Sequence, residues 1–198
     1  MRIISGKFKG RRFNPPANNW PTRPTTDFAK EGLFNILNNT FDFEELKVLD
    51  LFGGTGSHSY EFISRGSKDV TYVDKHGPAI DFVKKTAEQL KIKDNIRIIP
   101  SDVFKFVERA WQQYDYIFAG PPYGLPALDS IPDIIFDKKL LRGEGWFVME
   151  HNPNHNFTKH PHFFDARHYG KTIFSIFKNA EFLEAKEETD AIETLTDS

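Results

Sequence analysis

Apolar residues recur in this chain in two alternating patterns, short continuous runs and longer stretches with helical spacing. The continuous runs predict buried strands at 47–52, 69–74 and 95–99, and the stretches between them predict helices at 57–65 and 78–90. Strands that alternate with helices in this way favour an α/β fold with a parallel, doubly wound sheet and right-handed crossovers. In the second helix one face carries the apolar side chains, which are Ile80, Val83, Ala87 and Leu90.

The C-terminal half continues the pattern and then changes it. A fourth strand is predicted at 114–119, a helix at 129–141 and a fifth strand at 145–150, and segments 163–168 and 172–178 are predicted to form an antiparallel hairpin. Ahead of the first strand, Thr25 and Thr26 offer an N-cap to a helix whose apolar face contains Ala29, Leu33, Ile36 and Leu37. The sequence therefore predicts an α/β fold with a seven-stranded, Rossmann-like sheet that ends in an antiparallel hairpin.

The first 13 residues carry five cations and no acid, interleaved with apolar side chains and interrupted by Gly6 and Gly10. This pattern predicts a small N-terminal β-hairpin extension with one basic face. Unopposed positive charge is the electrostatic footprint of a nucleic-acid contact, although lysines also protect exposed edge strands from pairing. Both interpretations of the hairpin remain open at this point.

At 198 residues the chain is long enough for one hydrophobic core. We expect a basic hairpin and proline-rich linker at 1–24, an α/β domain at 25–180 and an acidic, flexible tail at 181–198. The tail holds seven acids and one lysine, which leaves 25 bases and 21 acids in the rest of the chain. The overall net charge of −2 therefore hides a basic body.

Several functional classes are excluded by what the chain lacks. It has no cysteine, so disulfides and thiolate metal sites are impossible. No apolar run reaches the length of a membrane span and no signal-peptide core precedes the fold, so we expect a cytoplasmic protein with no membrane partner. Prolines and asparagines interrupt the histidine-rich loop at 151–162, and no metal site is predicted there. The oligomeric state stays open, with a monomer favoured.

A glycine-rich turn follows the first predicted strand. Asp50 ends the apolar run, and the turn after it consists of Phe52, Gly53, Gly54, Thr55 and Gly56. Glycines allow positive φ and let the backbone approach a ligand closely. Asp74 ends the next strand, near the spacing at which a carboxylate meets a pair of ribose hydroxyls, and Lys75 follows it. The two features together predict a nucleoside-containing ligand at this edge of the sheet.

The turn does not have the signature of a dinucleotide or triphosphate site. Ser59 stands where G-x-G-x-x-G requires glycine, and no G-x-x-x-x-G-K-[ST] occurs. The D-x-F-x-G-x-G arrangement instead resembles motif I of methyltransferases that use S-adenosyl-L-methionine. Under that resemblance, Ser101, Asp102 and Val103 after the third strand would contact the adenine, although Ser101 or Asp102 would equally well cap a helix.

A second chemical stretch follows the fourth predicted strand. Gly120, Pro121, Pro122 and Tyr123 form a rigid turn at the same edge of the sheet as the three aspartates. An aromatic face in this position can stack on a flipped base, for about 1 to 3 kcal/mol per base. We therefore interpret Gly120 to Tyr123 as the catalytic turn.

Nearly the whole chain resembles the RsmD family, bacterial methyltransferases that act on a guanine N2 amino group of small-subunit (16S) ribosomal RNA. The resemblance lies in the residues at 2–7, 10–12, 23–27, 33–35, 50–56, 64–66 and 121–123. It implies a class I methyltransferase with S-adenosyl-L-methionine as cofactor and ribosomal RNA or the small subunit as partner. It also implies that Arg11, Arg12 and Arg23 hold phosphates, while Tyr123 stacks on the target base.

The chain departs from the family pattern at Gly120, where the family has Asp or Asn to accept a hydrogen bond from the target amino group. The backbone carbonyls of Gly120 and Pro121 can take that role, or a neighbouring acid can, with Asp115 and Glu150 as candidates. Alternatively, the protein is a catalytically weakened RNA-binding or ribosome-assembly factor, or it methylates another amino-bearing base. His58 and Ser59 also replace smaller residues beside the glycine turn.

Overall fold

The computed structural model describes residues 1–15 and 25–183. Its centre is a seven-stranded sheet with the order β3-β2-β1-β4-β5-β7-β6, in which β7 alone runs antiparallel to its neighbours. The strands are β1 (Lys47–Leu51), β2 (Asp69–Asp74), β3 (Ile96–Pro100), β4 (Tyr114–Ala119), β5 (Leu141–His151), β6 (Phe163–Tyr169) and β7 (Thr172–Phe177). The predicted seven-stranded α/β sheet with a terminal antiparallel hairpin is confirmed.

Helices cover both faces of the sheet, because each parallel crossover must return over one face. They are α1 (Asp27–Thr40), α2 (Ser57–Ser64), α3 (Gly77–Leu90), α4 (Val103–Arg109) and α5 (Ile131–Asp137), the last preceded by a 3₁₀ turn at Leu128–Ser130. The first three pack on one face of the sheet in a core that includes Phe34, Phe62 and Tyr116. The other two pack on the opposite face.

The helical periodicity seen in the sequence agrees with burial in the structure. Ile80, Val83, Ala87 and Leu90 of α3 are all buried against the sheet. On α1, Ala29, Leu33 and Leu37 are buried, and Thr26 caps the helix by accepting a hydrogen bond from the Ala29 amide. These apolar stripes fix both helices on the sheet, because only that face removes them from water.

The predicted N-terminal β-hairpin is only partly correct. The segment folds back on itself, but its only β-type pairing within residues 1–15 is an isolated bridge between Arg2 and Arg12. Its two arms are joined by backbone hydrogen bonds, from the Ile3 amide to the Arg11 carbonyl and from the Phe13 amide to the Met1 carbonyl. Helix α2 binds the rest of the segment: the Ile4 and Ser5 amides donate to the Glu61 carboxylate, and the Lys7 amide donates to the Ser64 carbonyl. The segment therefore lies along a helix and forms no strand of its own.

Two further elements differ from the prediction. The helix expected at 129–141 ends at Asp137, and Leu141 already begins β5, because Lys139 adopts a positive φ that breaks the helix. Helix α4 was not predicted, since its seven residues are too few for a clear periodicity. Asp102 caps it by accepting hydrogen bonds from the Phe104 and Lys105 amides.

The strand order places a crevice at one point of the sheet. The chain progresses outward from β1 to β3 on one side and from β4 to β6 on the other, so the connections on either side of β1 and β4 diverge. Open α/β sheets bind their ligands at the carboxyl ends of the strands beside such a switch point. Here those ends are Leu51 of β1 and Ala119 of β4.

Candidate active site

A cleft with a cavity volume of about 240 Å³ opens at the switch point. The glycine turn after β1 forms one wall, and the turn after β4 forms the other. The lining residues are Thr25, Asp50, Phe52, Gly53, Gly54, Thr55, Ser57, His58, Phe118, Gly120, Pro121, Pro122, Tyr123, Gly124 and Glu150. The two turns therefore lie together at one edge of the sheet, as their positions after β1 and β4 predict.

Strand β2 holds the glycine turn in place. The Gly53 amide donates to the Val73 carbonyl, and the Gly54 amide donates to Asp74 Oδ2 at 2.8 Å. The Tyr72 hydroxyl donates to the Gly54 carbonyl at 2.8 Å. A Cβ at Gly53 would lie 2.3 Å from the Tyr72 ring, so only glycine allows the turn to approach the strand this closely.

Asp50 is a buried carboxylate that lines the cleft. Its Oδ2 accepts hydrogen bonds from the Ser59 hydroxyl at 2.5 Å and from the Ser59 amide at 3.2 Å. Its Oδ1 is buried and has no hydrogen-bond partner. Burial raises the pKa of Asp50 to about 7, against the opposing effect of the two Ser59 hydrogen bonds. The site therefore contains a free acceptor atom beside the glycine turn.

The remaining residues assigned to the cofactor lie at the ends of β2 and β3, outside the cleft lining. Asp74 is buried, and its Oδ1 accepts from the His76 amide at 2.8 Å. Asp102 caps α4 through Oδ1 and meets Lys75 Nζ through Oδ2 at 3.0 Å. That hydrogen bond from Lys75 is the main cause that lowers the pKa of Asp102.

Val103 and Gly56 also lie outside the cleft lining. Val103 is buried in the core beneath the sheet. Gly56 precedes α2 with a φ of +75°, and a Cβ there would meet the Tyr60 ring at 2.8 Å. Ser101 donates its amide to the Asp74 carbonyl, which links the end of β3 to that of β2. Ser101 therefore lies beside Asp74 at the carboxyl end of the sheet, whereas Val103 faces the core.

The turn after β4 is tied to both neighbouring strands. The Gly120 amide donates to the Leu51 carbonyl at 3.2 Å. The Tyr123 hydroxyl donates to Glu150 Oε1 at 2.9 Å, and the Thr25 hydroxyl donates to Glu150 Oε2. Glu150 lies near the end of β5 and is 5% exposed. Thr25 had been considered only as a helix cap, because nothing in the local sequence signals its contact with a residue 125 positions away.

Asp115, the other acid considered as a substitute at position 120, is at the wrong end of β4. Its carboxylate accepts from the Lys47 amide at 2.9 Å and from Arg142 at 3.0 Å. Lys47 and Asp115 both lie at the beginnings of their strands, whereas the cleft lies at the carboxyl ends. The hypothesis that Asp115 acts beside Gly120 is therefore wrong.

His58 and Ser59 leave the cleft open. The His58 ring stacks on Phe118 with centroids 3.7 Å apart, and its Nε2 lies 3.0 Å from the Tyr116 hydroxyl. Burial lowers the pKa of His58 well below its usual value, so the ring is neutral at physiological pH. Ser59 is fully buried against Asp50. The substitutions thus organise one wall of the cleft.

The cations assigned to RNA are only partly described. Arg11 and Arg12 are exposed on the N-terminal segment, whereas Arg23 lies outside the described residues.

In the histidine-rich loop, His155 meets Asp129 at 2.7 Å and His160 meets Asp133 at 3.2 Å. Among residues 1–15 and 25–183, no group of three His, Asp or Glu side chains is arranged to hold a metal ion. In the same part of the chain, no helix has the length and apolarity needed to cross a membrane.

Solved structures share this fold. A hypothetical protein from Thermus thermophilus, TTHA0928, has a TM-score of 0.78 at 21% identity and covers 90% of this chain and 99% of its own. The 16S rRNA N2 G1207 methyltransferase RsmC of T. thermophilus, solved with AdoMet and guanosine, has a TM-score of 0.63 at 20% identity over 78% of this chain and 44% of its own. The fold is therefore that of class I methyltransferases.

Comparison of sequences gives a more specific result than comparison of folds. The "Putative rRNA methyltransferase YlbH" of Bacillus subtilis is 34% identical over 77% of this chain and 83% of its own length. The ribosomal RNA small subunit methyltransferase D of Buchnera aphidicola is 30% identical over 76% and 75% of the two chains. The family model described as "Conserved hypothetical protein 95" matches residues 1–178. This match covers most of the chain and confirms the resemblance seen in its motifs, so the chain belongs to that family, the RsmD family.

Proposed function

We propose that this protein is an S-adenosyl-L-methionine-dependent RNA methyltransferase, and that it methylates the N2 amino group of a guanine in small-subunit ribosomal RNA. The observation that carries the proposal is the cleft at the switch point, where the glycine turn after β1 faces the Pro-Pro-Tyr turn after β4. Membership of the RsmD family supports the same reaction and the same class of substrate.

The residues of the glycine wall fit the methyl donor. Gly53 permits a backbone approach that a Cβ would block, and Asp50 Oδ1 is a buried acceptor without a partner. We assign the methionine end of the cofactor to this wall, the ribose hydroxyls to Asp74 beside Lys75, and the adenine to the rim at Ser101, Asp102 and Val103. When bound, the cofactor supplies a methyl group activated by a positively charged sulfur.

The opposite wall fits the acceptor base. Tyr123 presents an aromatic ring at the cleft, and its hydroxyl is fixed by Glu150. A base that leaves its helix regains stacking energy on such a ring. The exposed Arg11 and Arg12 offer phosphate contacts on the N-terminal segment, and we assign Arg23 to the same role.

The test is transfer of labelled methyl from S-adenosyl-L-methionine to small subunits, and separately to naked 16S RNA, from cells that lack this methylation. We expect transfer to one of these substrates, with N2-methylguanosine as the product after nucleoside digestion. A different methylated nucleoside would assign the enzyme to another amino-bearing base. No transfer to either substrate would contradict the proposed reaction.

Gly120 favours a second candidate function, a catalytically weakened RNA-binding or ribosome-assembly factor. The position offers only backbone atoms where the family has Asp or Asn. The Gly120→Asp variant separates the two functions in the same assay. If this variant transfers methyl and the native protein does not, the assembly-factor function is the correct one.

A further inference from the structure

Glu150 on β5 lies next to Gly120, the position at which the family has an Asp or Asn side chain and this chain has none. In the register of the sheet, Ala119 of β4 pairs with Met149 of β5, so Glu150 follows on β5 where Gly120 follows on β4. Ala119 and Met149 both belong to the core on one face, and successive side chains of a strand point to opposite faces. Glu150 therefore projects to the same side of the sheet as a side chain at position 120 would.

Two donors from separate parts of the chain fix the Glu150 carboxylate. Tyr123 bonds one oxygen and Thr25 the other, and all three residues line the cleft. A carboxylate oxygen can accept more than one hydrogen bond, so the bonds that Glu150 already makes do not exclude a further donor from the cleft. Its orientation is set before any substrate binds, which is what an acceptor of a directed hydrogen bond requires.

The other acids near the site lie on the side of the glycine turn, away from the Pro-Pro-Tyr turn. Asp50 and Glu150 are the carboxylates in the cleft lining, and Asp50 Oδ2 is held by Ser59 on the cofactor wall. Both oxygens of Asp74 accept backbone amides. Glu150 is thus the carboxylate that the described residues place on the wall of the Pro-Pro-Tyr turn.

We propose that Glu150 is a catalytic residue that accepts a hydrogen bond from the target amino group and then takes its proton. This inference rests on the proposed methyltransferase function and deepens it. The amino nitrogen forms its bond to the methyl carbon while the carbon–sulfur bond breaks and leaves its electron pair on sulfur. The nitrogen then carries one proton too many, and the Glu150 carboxylate accepts that proton and releases it to solvent.

Thr25 and Tyr123 act as positioning residues in this arrangement. Because Tyr123 both stacks on the base and bonds to Glu150, the carboxylate is held at a fixed place relative to the plane of the base. Removal of either hydroxyl, in Thr25→Val or Tyr123→Phe, leaves the carboxylate in place but less well oriented. Each change should therefore lower the transfer rate by less than the loss of the carboxylate itself.

The decisive experiment measures single-turnover methyl transfer by Glu150→Gln, Glu150→Asp and the control Glu144→Gln, which alters an exposed glutamate at the far end of the same strand. Glutamine keeps the shape and one acceptor oxygen but cannot take the proton. We expect Glu150→Gln to slow transfer by about 100-fold or more, the usual range for a proton acceptor. Glu150→Asp should retain more activity than Glu150→Gln, and Glu144→Gln should match the native protein.

A rescue variant tests the geometric part of the inference. Gly120 does not have a left-handed φ, and the nearest atom to a Cβ there is the edge of the Phe118 ring at 3.2 Å, so an aspartate fits after a small shift. We expect Gly120→Asp, added to Glu150→Gln, to raise the rate of that variant by about tenfold or more. The pH–rate profile is measured for all three proteins, and we expect the native and rescued proteins to share a profile that differs from that of Glu150→Gln.

The outcomes separate this inference from the function on which it rests. If native protein transfers methyl and Glu150→Gln transfers it equally fast with the same pH profile, Glu150 has no catalytic role and only the inference fails. If cofactor affinity falls as much as the rate in Glu150→Gln, the residue is structural and the inference also fails. A native protein that binds the cofactor but methylates neither subunits nor RNA overturns the proposed function and the inference together.

Discussion

At the scale of single residues, the site combines carboxylates in different states. Asp50 is fully buried, shares a hydrogen bond with Ser59 and has a pKa of about 7, whereas Lys75 lowers the pKa of Asp102 at the rim. Near neutral pH, Asp50 beside the glycine turn is therefore partly protonated, whereas Asp102 at the start of α4 is ionised. The balance between burial and a charged partner decides which state is populated.

The pKa of Asp50 predicts a pH-dependent stability. Since its folded-state pKa lies above the unfolded value, the folded protein binds more protons between about pH 4 and pH 7, and its free energy of unfolding falls as pH rises through that window. Asp50→Asn removes this dependence. Between pH 5 and pH 8 we expect native protein to lose about 2 kcal/mol relative to the variant, measured by denaturant unfolding. Parallel curves for the two proteins would show that Asp50 titrates normally.

At the scale of elements, the sequence predicted the features that depend on residues close together in the chain. The glycine turn and the Pro-Pro-Tyr turn each lie within a few residues of a strand end, so their places at one sheet edge followed from the βα pattern. The contacts of Thr25 and Glu61 are different, because they join segments 125 and 57 positions apart. Such pairs depend on how α1 and α2 pack, which a single sequence does not reveal.

Asp102 shows a second limit of the sequence. A carboxylate after a strand was compatible with an adenine contact and with a helix cap, and the structure establishes the cap through the Phe104 and Lys105 amides. The adenine contact would have to share Oδ2, which Lys75 already approaches. The helix cap and the adenine contact both use the lone pairs of the Asp102 carboxylate, so the local sequence pattern is compatible with either role.

The close contact between the glycine turn and β2 predicts the effect of one methyl group. In Gly53→Ala the new Cβ would fall 2.3 Å from the buried Tyr72 ring, whose hydroxyl is itself bonded to Gly54. The turn must move, so we expect a loss of about 2 kcal/mol in unfolding free energy and cofactor binding about tenfold weaker or more. Calorimetry and thermal unfolding measure the two effects.

The control for this variant is Gly77→Ala. Gly77 begins α3 and lies outside the cleft lining, and a Cβ added to it would meet no atom within 4 Å. Alanine in a helix should leave the stability unchanged or raise it slightly. Equal behaviour of the two alanine variants would contradict the claim that Tyr72 dictates glycine at position 53.

At the scale of the whole molecule, the N-terminal segment links the basic surface to the cleft. Arg2 pairs with Asp27 at 3.2 Å near the start of α1, and the buried Lys30 bonds both the Arg2 carbonyl and Ser57 of the cleft. The other end of the segment, at Gly6 and Lys7, docks on the last turn of α2. Because α2 runs away from the cleft, the Arg2–Arg12 end of the segment lies nearer the cleft than its tip.

This arrangement predicts that cations of the segment near the cleft contribute more to RNA affinity than cations at its tip. A cation near the cleft can hold the phosphates beside the target base, so Arg12→Ala should weaken RNA binding uniformly across sequences and reduce the slope of log K against log salt by about 1. Lys9→Ala at the tip should have a smaller effect, and Lys93→Ala should have none, since Lys93 lies before β3 and pairs with Glu88. Filter binding to 16S fragments at several salt concentrations measures all three. If the three variants behave alike, the segment is a solvated surface and its arginines do not guide RNA to the cleft.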